Sequence, residues 1–380
     1  MRQLPPLRLT GATILRDNEL RQRSVAIVRG RISKGPLPAI DLSGYLILPG
    51  IIDLMAEIPF APGPEGISPS VRIKLAQSRA AASGVTTAWM VAPWSWARGF
   101  GDPAIACLLL SALARNNGAT DLRPAMRIEV SRIDNQAELL DTIRRFQPGI
   151  VYLENRNERL FELLNRDPDG FVRQARLFGL GADALAASIR QERERQREVP
   201  RHLCRIAETL DEVGAIYASL DDSGGDVRET YSMLGASIAA CPEVYSAAAA
   251  ARAMGGPVLL PLNASPLAED VLRAGICDAM VSRGLQRAIV PRLMSLAGPG
   301  LRDLPKLWRI VSSRPADIAG LADRGTLDYG RRADLVVIRR DTLQIEATIC
   351  AGRLTHLTGE AANRFRKAGD DLPTMAVAAE

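Results

Sequence analysis

Histidine is nearly absent from this sequence of 380 residues, which contains only His202 and His356. A hydrolase with two zinc ions usually spends about four imidazoles on the metals alone. The count therefore excludes the usual form of such a centre. His202 follows Pro200 at a predicted helix start and is expected on the surface. His356 is expected in C-terminal β-structure, without a catalytic role.

Cysteine and long apolar segments are scarce as well. The five cysteines are far apart and include no C-x-x-C motif, which argues against a disulfide framework and a thiolate zinc site. A reducing cytoplasm is the simplest location for such a chain. No uncharged apolar stretch of about 18 residues occurs, and residues 1–9 lack an apolar core. We therefore expect neither a membrane span nor a signal peptide.

A strong charge imbalance is missing too. Lys and Arg number 48 and Asp and Glu number 43, which gives a formal net charge of +5 without a tract of like charges. This pattern argues against a basic patch that would bind nucleic acid. Apolar residues are plentiful: 47% of the chain is hydrophobic, which is enough for a barrel domain and a small accessory domain.

Between residues 67 and 320, strand and helix patterns alternate, following a first buried strand at 51–54. Further strands are predicted at 85–91, 127–130, 150–153, 215–219, 258–261 and 278–282. Helices are predicted at 71–82, 102–116, 136–146, 206–212, 233–240 and 268–274. Such alternation predicts parallel strands joined by helical crossovers, and hence an α/β fold with a (β/α)8 TIM-type barrel.

Both chain ends carry strand patterns that bracket this barrel. We predict a small β-sandwich from residues 1–48 and 321–360, a barrel over 49–320 with a helical insertion at about 157–205, and a frayed tail at 361–380. Within the insertion, residues 191–198 are charged all round, which is typical of a solvated helix. A lid or a partner-binding element is the alternative.

Two motifs near the chain ends resemble the amidohydrolase superfamily: Leu-Pro-Gly-Ile-Ile-Asp-Leu at 48–54 and Gly-Arg-Arg-Ala-Asp-Leu-Val-Val at 330–337. In that superfamily the first motif leads into metal-binding residues, and the second begins the closing strands of the accessory domain. Residues 218–222, 234–239 and 323–325 are similar to the phosphonate-pathway diphosphatases. These enzymes release pyrophosphate from α-D-ribose 1-methylphosphonate 5-triphosphate. The resemblance therefore implies a divalent metal and hydrolysis of a phosphoric anhydride.

The resemblance also implies where metal ligands should stand, and several of those positions have changed. The family's His-Thr-Asp corresponds to Met55, Ala56 and Glu57, and its metal-bridging glutamate to Glu129. A histidine is expected near the end of the strand at 150–153, where this sequence continues Glu-Asn-Arg. The replacement of the family's first histidine by Met55 already removes one imidazole from the site.

Two later positions differ as well. The family's Ser-His-Asp-Asp corresponds here to a serine followed by Leu220, Asp221 and Asp222, and the aspartate of its late Ser-Ser-Asp corresponds to Arg283. Leucine and methionine offer no hard donor atom, and an arginine repels a metal ion. We therefore predict that the site is vestigial and has lost its divalent metal.

Carboxylates left at a barrel mouth need a cation. We expect Arg283 to fill the place of the metal and to pair with Glu57, Glu129 or Asp221. Its replacement by alanine should then lower the thermal stability. The same three acids, together with Asp222, are alternatively candidates for an all-oxygen magnesium or manganese site.

Other side chains at strand ends have two interpretations each. Arg127, Arg156 and Arg283 form either an anion-binding mouth or internal salt bridges. Ser219 and Ser282 are poor candidates for nucleophiles, because no histidine or lysine base accompanies them. Core packing and pocket lining are the alternatives for three tryptophans near the second barrel strand, Trp89, Trp94 and Trp96.

The leading functional hypothesis is a catalytically impaired relative, a pseudoenzyme, that acts as a partner of a sister hydrolase, as a regulator or as a ligand binder, alone or as a homo-oligomer. The first alternative is an active metal-dependent hydrolase of phosphonate metabolism with a rebuilt carboxylate site. The second is a non-enzymatic protein that binds an anionic phospho-sugar, an expectation that the arginines near the predicted mouth motivate.

Overall fold

The computed structural model describes residues 3–57, 68–95, 101–284 and 286–371. The chain begins with seven short strands: β1 Leu7–Thr10, β2 Thr13–Arg16, β3 Glu19–Gln22, β4 Val25–Val28, β5 Arg31–Ser33, β6 Ala39–Asp41 and β7 Tyr45–Pro49. Positive φ angles at Asp17, Asn18, Arg29 and Gly30 allow the tight β2–β3 and β4–β5 hairpins.

Eight further strands form one parallel sheet, in which each strand pairs with the next. They are β8 Ile51–Glu57, β9 Val85–Trp94, β10 Asp121–Glu129, β11 Ile150–Glu154, β12 Ile216–Leu220, β13 Ile238–Ala240, β14 Val258–Pro261 and β15 Cys277–Val281. The last strand returns to the first, where the Arg283 N–H donates to the Met55 carbonyl at 3.0 Å. The α/β fold with a (β/α)8 barrel is confirmed.

Helices alternate with these strands and cover the barrel. They are α1 Pro69–Ala82, α2 Pro103–Ala114, α3 Gln136–Phe146, α4 Asn157–Arg166, α5 Pro168–Leu177, α6 Ala182–Glu194, α7 Val199–Glu212, α8 Gly225–Met233, α9 Tyr245–Ala253, α10 Pro266–Arg273, α11 Ile289–Leu296, α12 Leu304–Trp308 and α13 Ser313–Ile318. Ser68, Asp102 and Ser265 cap helices whose next residue is proline, a combination that favours helix initiation. In the described part of the chain, no helix has the length and apolarity needed to cross a membrane.

The sixth barrel strand was predicted wrongly as part of a helix at 233–240. Helix α8 ends at Met233, and Gly235 has a φ of 94°, which a residue with a side chain rarely adopts. The chain then enters β13, which has only three residues, Ile238–Ala240. Alanine-rich composition favours a helix in isolation, but here the segment pairs between two buried strands.

The C-terminal end returns to the first domain with β16 Leu335–Arg339, β17 Ile345–Cys350 and β18 Arg353–Leu357. Its two sheets have the orders β18-β17-β16-β7-β2-β3 and β5-β4-β1-β6. Residues 361–380 were expected to be a frayed tail, but helix α14, Gly359–Asp371, continues the fold. Ala361 and Phe365 of this helix are buried in the core of the β-domain.

The insertion after β11 consists of α4, α5 and α6, which share a small apolar core containing Leu160, Phe171 and Ile189. Residues 191–198 do not form one solvated helix. Helix α6 ends at Glu194, a 3-10 turn follows, and Glu192 is buried with only 8% of its surface exposed. The prediction failed because the alternating charges of this segment give no indication that one of its side chains, Glu192, is buried.

Candidate active site

Acidic and basic side chains meet at the carboxyl ends of the barrel strands, where TIM-barrel proteins place their active sites. The acids are Glu57 on β8, Glu129 on β10, Glu154 on β11 and Asp221 after β12; the bases are Arg127 on β10, Arg156 after β11 and Arg283 after β15. We call these seven residues the mouth network. Side chains from five of the eight strands or their following residues thus converge at one end of the barrel.

Arg127 lies at the centre of the mouth network. Its Nη1 is 2.6 Å from Glu57 Oε1 and its Nε is 3.4 Å from Glu154 Oε2. Burial alone would lower the pKa of Arg127, but the carboxylates of Glu57 and Glu154 raise it. The guanidinium group is therefore held in its charged form between two acids that could otherwise face a metal ion.

Arg283 pairs with Asp221, as the sequence predicted, but not with Glu129. Its two terminal nitrogens donate to Asp221 at 2.9 and 3.4 Å, and its Nε lies 4.0 Å from Glu57 Oε1. Asp221, Cys241 and Arg283 all have positive φ angles of 45–59°. Such conformations cost free energy in residues with a Cβ atom and concentrate at functional sites.

We expect the Arg283→Ala variant to lose about 1–3 kcal/mol of unfolding free energy, because buried Asp221 would lose its charged donor. Alanine also carries a Cβ atom, so the backbone cost of the positive φ remains. Thermal and urea unfolding measure the loss. The matched control is Arg287→Ala, which changes an exposed arginine nearby; equal stabilities of the two variants would contradict the pairing.

Glu154 is a central residue that the sequence analysis did not single out. It is 2.9 Å from Arg156 Nη2 as well as 3.4 Å from Arg127 Nε, and its carboxyl group is almost fully buried. Burial alone would raise the pKa of Glu154, but Arg156 and Arg127 lower it below the ordinary value. Its position directly after four apolar strand residues was the signal that could have revealed it.

Glu129 makes a different contact, with the helical insertion. The Ser131 hydroxyl oxygen lies 2.9 Å from Glu129 Oε1 and 2.7 Å from Glu192 Oε2. A hydroxyl group has one proton and can donate it to only one carboxylate. Asn157 Nδ2 donates to the same Glu192 oxygen at 2.9 Å, which marks that oxygen as an acceptor. Backbone N–H groups of Ser131 and Arg156 likewise donate to Glu129 Oε1, at 3.4 and 3.3 Å, so the Ser131 hydroxyl lies between two acceptor oxygens and links Glu129 to the insertion.

Burial is the main cause that raises the pKa of Glu129 to about 8. The folded chain thus keeps a proton at pH values where the unfolded chain, with an ordinary value near 4.5, has released it. This contribution to stability is complete below about pH 4.5 and declines as the pH rises towards 8, by up to about 1.4 kcal/mol per pH unit.

The Glu129→Gln variant is expected to lack this decline, since an amide does not titrate. Its stability relative to the original protein should therefore increase between pH 5 and pH 8. Urea unfolding at several pH values measures the difference, with the exposed Glu138→Gln as the matched control. Parallel stability curves for Glu129→Gln and the original protein would show that Glu129 is not protonated in the fold.

The remaining positions of the expected metal site do not face the mouth network as ligands. Met55 and Leu220 are buried in an apolar cluster inside the barrel. Asp222 accepts a hydrogen bond from the Ser219 hydroxyl at 2.5 Å, and burial raises the pKa of Asp222 to about 6. Within residues 3–57, 68–95, 101–284 and 286–371, no three His, Cys, Asp or Glu side chains are arranged to hold a metal ion.

The serines considered as nucleophiles have structural partners. Ser219 accepts a hydrogen bond from buried Arg228 at 2.5 Å while it donates to Asp222. The Ser282 hydroxyl donates to Asp53 Oδ2 at 2.5 Å, inside the barrel. Both hydroxyl groups therefore stabilise strand ends rather than face an open site.

The surface position predicted for His202 is wrong. Its ring is 1% exposed and its Nδ1 lies 2.9 Å from Gln136 Oε1, so α7 buries it against α3. Burial lowers the pKa of His202 to about 4, which keeps the ring neutral. His356 lies on β18 of the β-domain, away from the barrel mouth, as predicted.

Two of the three tryptophans near the second barrel strand pack in apolar clusters. Trp89 and Trp94 are almost fully buried, and Trp94 Nε1 donates to Asn135 Oδ1 at 3.4 Å. Trp96 lies outside the described residues. Core packing therefore explains both described rings, and neither provides evidence for an aromatic binding pocket.

A basic cleft adjoins the mouth network on the side of the insertion. Its cavity of about 290 Å³ is lined by seven residues: Arg156, Arg159, Leu160, Glu162, Leu163, Arg166 and Gln174. Arg156 belongs to both the cleft and the mouth network, and its guanidinium group also lies 5.1 Å from the ring centre of Phe178. The cleft extends the row of arginines from the barrel mouth onto helix α4.

Comparison with solved structures finds similar folds over nearly the whole chain at low sequence identity. The chain resembles an N-acetylglucosamine-6-phosphate deacetylase from Pasteurella multocida, with a TM-score of 0.63, 13% identity, and coverage of 92% of this chain and 99% of that one. It resembles a Xaa-Pro dipeptidase with bound methionine, with a TM-score of 0.62, 12% identity, and coverage of 92% and 99%. It also resembles a D-hydantoinase from a Bacillus sp. AR9, with a TM-score of 0.60, 14% identity, and coverage of 94% and 97%.

These similarities are structural and establish the shared fold. No family model matches the chain, and no curated protein sequence matches it. At identities of 12–14%, side-chain chemistry is not expected to follow from the fold. The function therefore has to be inferred from the residues of the barrel mouth.

Proposed function

We propose that this chain is a catalytically impaired protein of the amidohydrolase superfamily, a pseudoenzyme related to the phosphonate-pathway diphosphatases, that binds an anionic ligand or a partner. The barrel fold shared with the deacetylase and the hydantoinase supports the superfamily. The observation that carries the loss of catalysis is the position of Arg127 and Arg283 among the acids of the mouth network.

The side chains at the mouth do not fit the divalent metal that the superfamily implies. Glu57, Glu154 and Asp221 already contact guanidinium groups within 4.0 Å, and burial raises the pKa of Glu129 to about 8. Two unit positive charges about 4 Å apart repel by about 4 kcal/mol at an effective dielectric constant of 20. A divalent ion would therefore have to displace two arginines, and no imidazole is present to receive it.

An anionic phospho-sugar is the ligand class that the basic cleft favours. Arginine side chains bind phosphate oxygens through paired N–H donors, and Arg159 and Arg166 extend this chemistry beyond the mouth network. Most of the carboxylate charge at the mouth is already paired with arginine, which reduces its repulsion of an incoming phosphate. A regulator of a sister hydrolase would use the same cleft for recognition.

Incubation with ribose 1-methylphosphonate 5-triphosphate and manganese or zinc is expected to release no pyrophosphate above the rate without protein. Ribose 5-phosphate is expected to raise the melting temperature, because it binds the folded chain only. Arg159→Ala and Arg166→Ala should reduce this shift. The control is Arg190→Ala, which alters an exposed arginine of the same insertion outside the cleft.

Two outcomes would decide against this proposal. Pyrophosphate release that chelators abolish would favour an active hydrolase with a rebuilt carboxylate site, particularly if Glu129→Gln removed the activity. A ligand-induced shift that is identical in Arg159→Ala, Arg166→Ala and Arg190→Ala would show that the cleft does not bind the phosphate group.

A further inference from the structure

The outer surface of helices α1 and α2 carries exposed apolar side chains. Val71 and Leu75, one helical turn apart on α1, are 45% and 47% exposed, and Leu108 on α2 is 50% exposed. Helix α2 contains no charged residue over its 12 positions, and Ala104 is exposed beside Leu108. The outward side of a surface helix is ordinarily polar. We call the surface of Val71, Leu75, Ala104 and Leu108 the α1–α2 face.

The fold brings these side chains to one place. Helix α1 follows the first barrel strand, helix α2 follows the second, and the two helices pack side by side. Both start at the carboxyl ends of their strands. Leu75 and Leu108 each lie about 8–9 Å from the start of their helix at 1.5 Å per residue, and therefore stand at the same height on the barrel. The α1–α2 face is thus continuous across two helices.

The charged side chains of the two helices are all basic. Helix α1 carries Arg72, Lys74 and Arg79, and neither helix contains an aspartate or a glutamate. Lys74 and Arg79 are exposed. The acid nearest in sequence, Asp102, caps the start of α2, where its carboxylate accepts from the Ala104 N–H at 2.8 Å. A complementary surface is therefore apolar at its centre and acidic at its edges.

The size of the α1–α2 face distinguishes between candidate partners. Two helices about 18–21 Å long and about 10 Å apart present a strip of about 400 Å². A stable dimer buries about 800 Å² per subunit, and a second copy would bring more basic residues and no acid. Membrane anchors commonly use Trp or Tyr, and neither helix contains an aromatic residue. A single helix with acidic edges matches both the area and the charge.

We propose that the α1–α2 face binds an acidic amphipathic helix of a partner protein. A helix of about 12–14 residues has the length of α1 and α2. Apolar side chains at its positions i, i+3, i+4 and i+7 pack on Val71, Leu75 and Leu108, and glutamates at its edges face Lys74 and Arg79. This inference rests on the partner role in the proposed function, names the chemistry of that partner, and does not depend on the phospho-sugar.

Fluorescence anisotropy with the full chain and synthetic peptides tests this surface. The probe is a labelled amphipathic peptide of about 14 residues, with leucines on one face and glutamates on the other. The reference peptide has lysines in place of the glutamates. Only the acidic peptide is expected to bind saturably. Leu108→Glu should weaken its binding about tenfold or more, because a central apolar contact is lost and a like charge is added. Leu75→Glu should act similarly, and it remains informative if Leu108→Glu fails to fold.

Three further variants separate this surface from the rest of the molecule. Leu177→Glu changes a leucine of the insertion that is 75% exposed, and it should bind the acidic peptide normally. Arg159→Ala changes the basic cleft and should also bind it normally, so failure here and failure of ligand binding by the cleft are distinguishable. The double variant Lys74→Glu, Arg79→Glu should bind the lysine peptide in preference to the acidic one, because the charge at the edge is reversed.

The proposal is overturned if the acidic peptide does not bind saturably, or if the lysine peptide binds equally well. It is also overturned if Leu75→Glu and Leu108→Glu bind as tightly as Leu177→Glu. Light scattering that shows a dimer, converted to a monomer by Leu108→Glu, would assign the face to a second copy instead. Sedimentation with phosphatidylglycerol vesicles that Leu108→Glu abolishes would assign it to a membrane surface.

Discussion

Replacement of Arg127 by methionine is expected to lower the free energy of unfolding by about 3–5 kcal/mol. This is the usual cost of removing one partner of a buried ion pair while the other partner stays charged. The Arg127 side chain is 13% exposed and contacts both Glu57 and Glu154. Methionine retains much of the volume but no charge. Among the residues that the structure describes, Glu154 would keep Arg156 as its partner, and Glu57 would keep only Arg283, at 4.0 Å.

Urea unfolding at pH 7 measures this loss, with Arg115→Met as a control that changes an exposed arginine at the end of α2. The control is expected to change stability by less than about 0.5 kcal/mol. The double variant Arg127→Met, Glu57→Gln should recover part of the loss, because Glu57 is the carboxylate that loses its close partner when Arg127 is replaced. A loss below about 1 kcal/mol in the single variant would contradict the network, since buried pairs cost more to break.

Much of the fold could be predicted from the sequence because strand and helix periodicity is local. Seven of the eight barrel strands were assigned, including β14 at its observed bounds, Val258–Pro261. The exception, β13, is three residues long and alanine-rich, so its strand conformation depends on its neighbours rather than on its own composition. Helix α14 was missed for a similar reason, since the burial of Phe365 depends on the β-domain.

The candidate site could be predicted only in part. The positions of Glu57, Asp221 and Arg283 followed from the family resemblance, and the structure brings them together. The roles of Ser131 and Glu192 could not be predicted, because their contact joins residues 61 positions apart. Burial of one carboxyl group in a charged segment is a tertiary property that no local pattern reveals.

A divalent metal is expected to bind this chain far more weakly than it binds an intact binuclear centre. Binding would require the release of Arg283 from Asp221 and of Arg127 from Glu57, and the ionisation of Glu129, whose pKa burial raises to about 8. Each step costs free energy, and carboxylates alone would have to replace the missing imidazole ligands. The expected effect is the loss of stoichiometric metal binding.

Elemental analysis of the purified chain tests this account most directly. The protein is saturated with zinc or manganese, passed through a desalting column without chelator, and its metal content is measured by mass spectrometry. We predict far less than one metal ion per chain, both for the original protein and for Glu57→Gln. One tightly held ion per chain, lost in Glu57→Gln or Glu129→Gln, would contradict the proposal that arginines have taken the place of the metal.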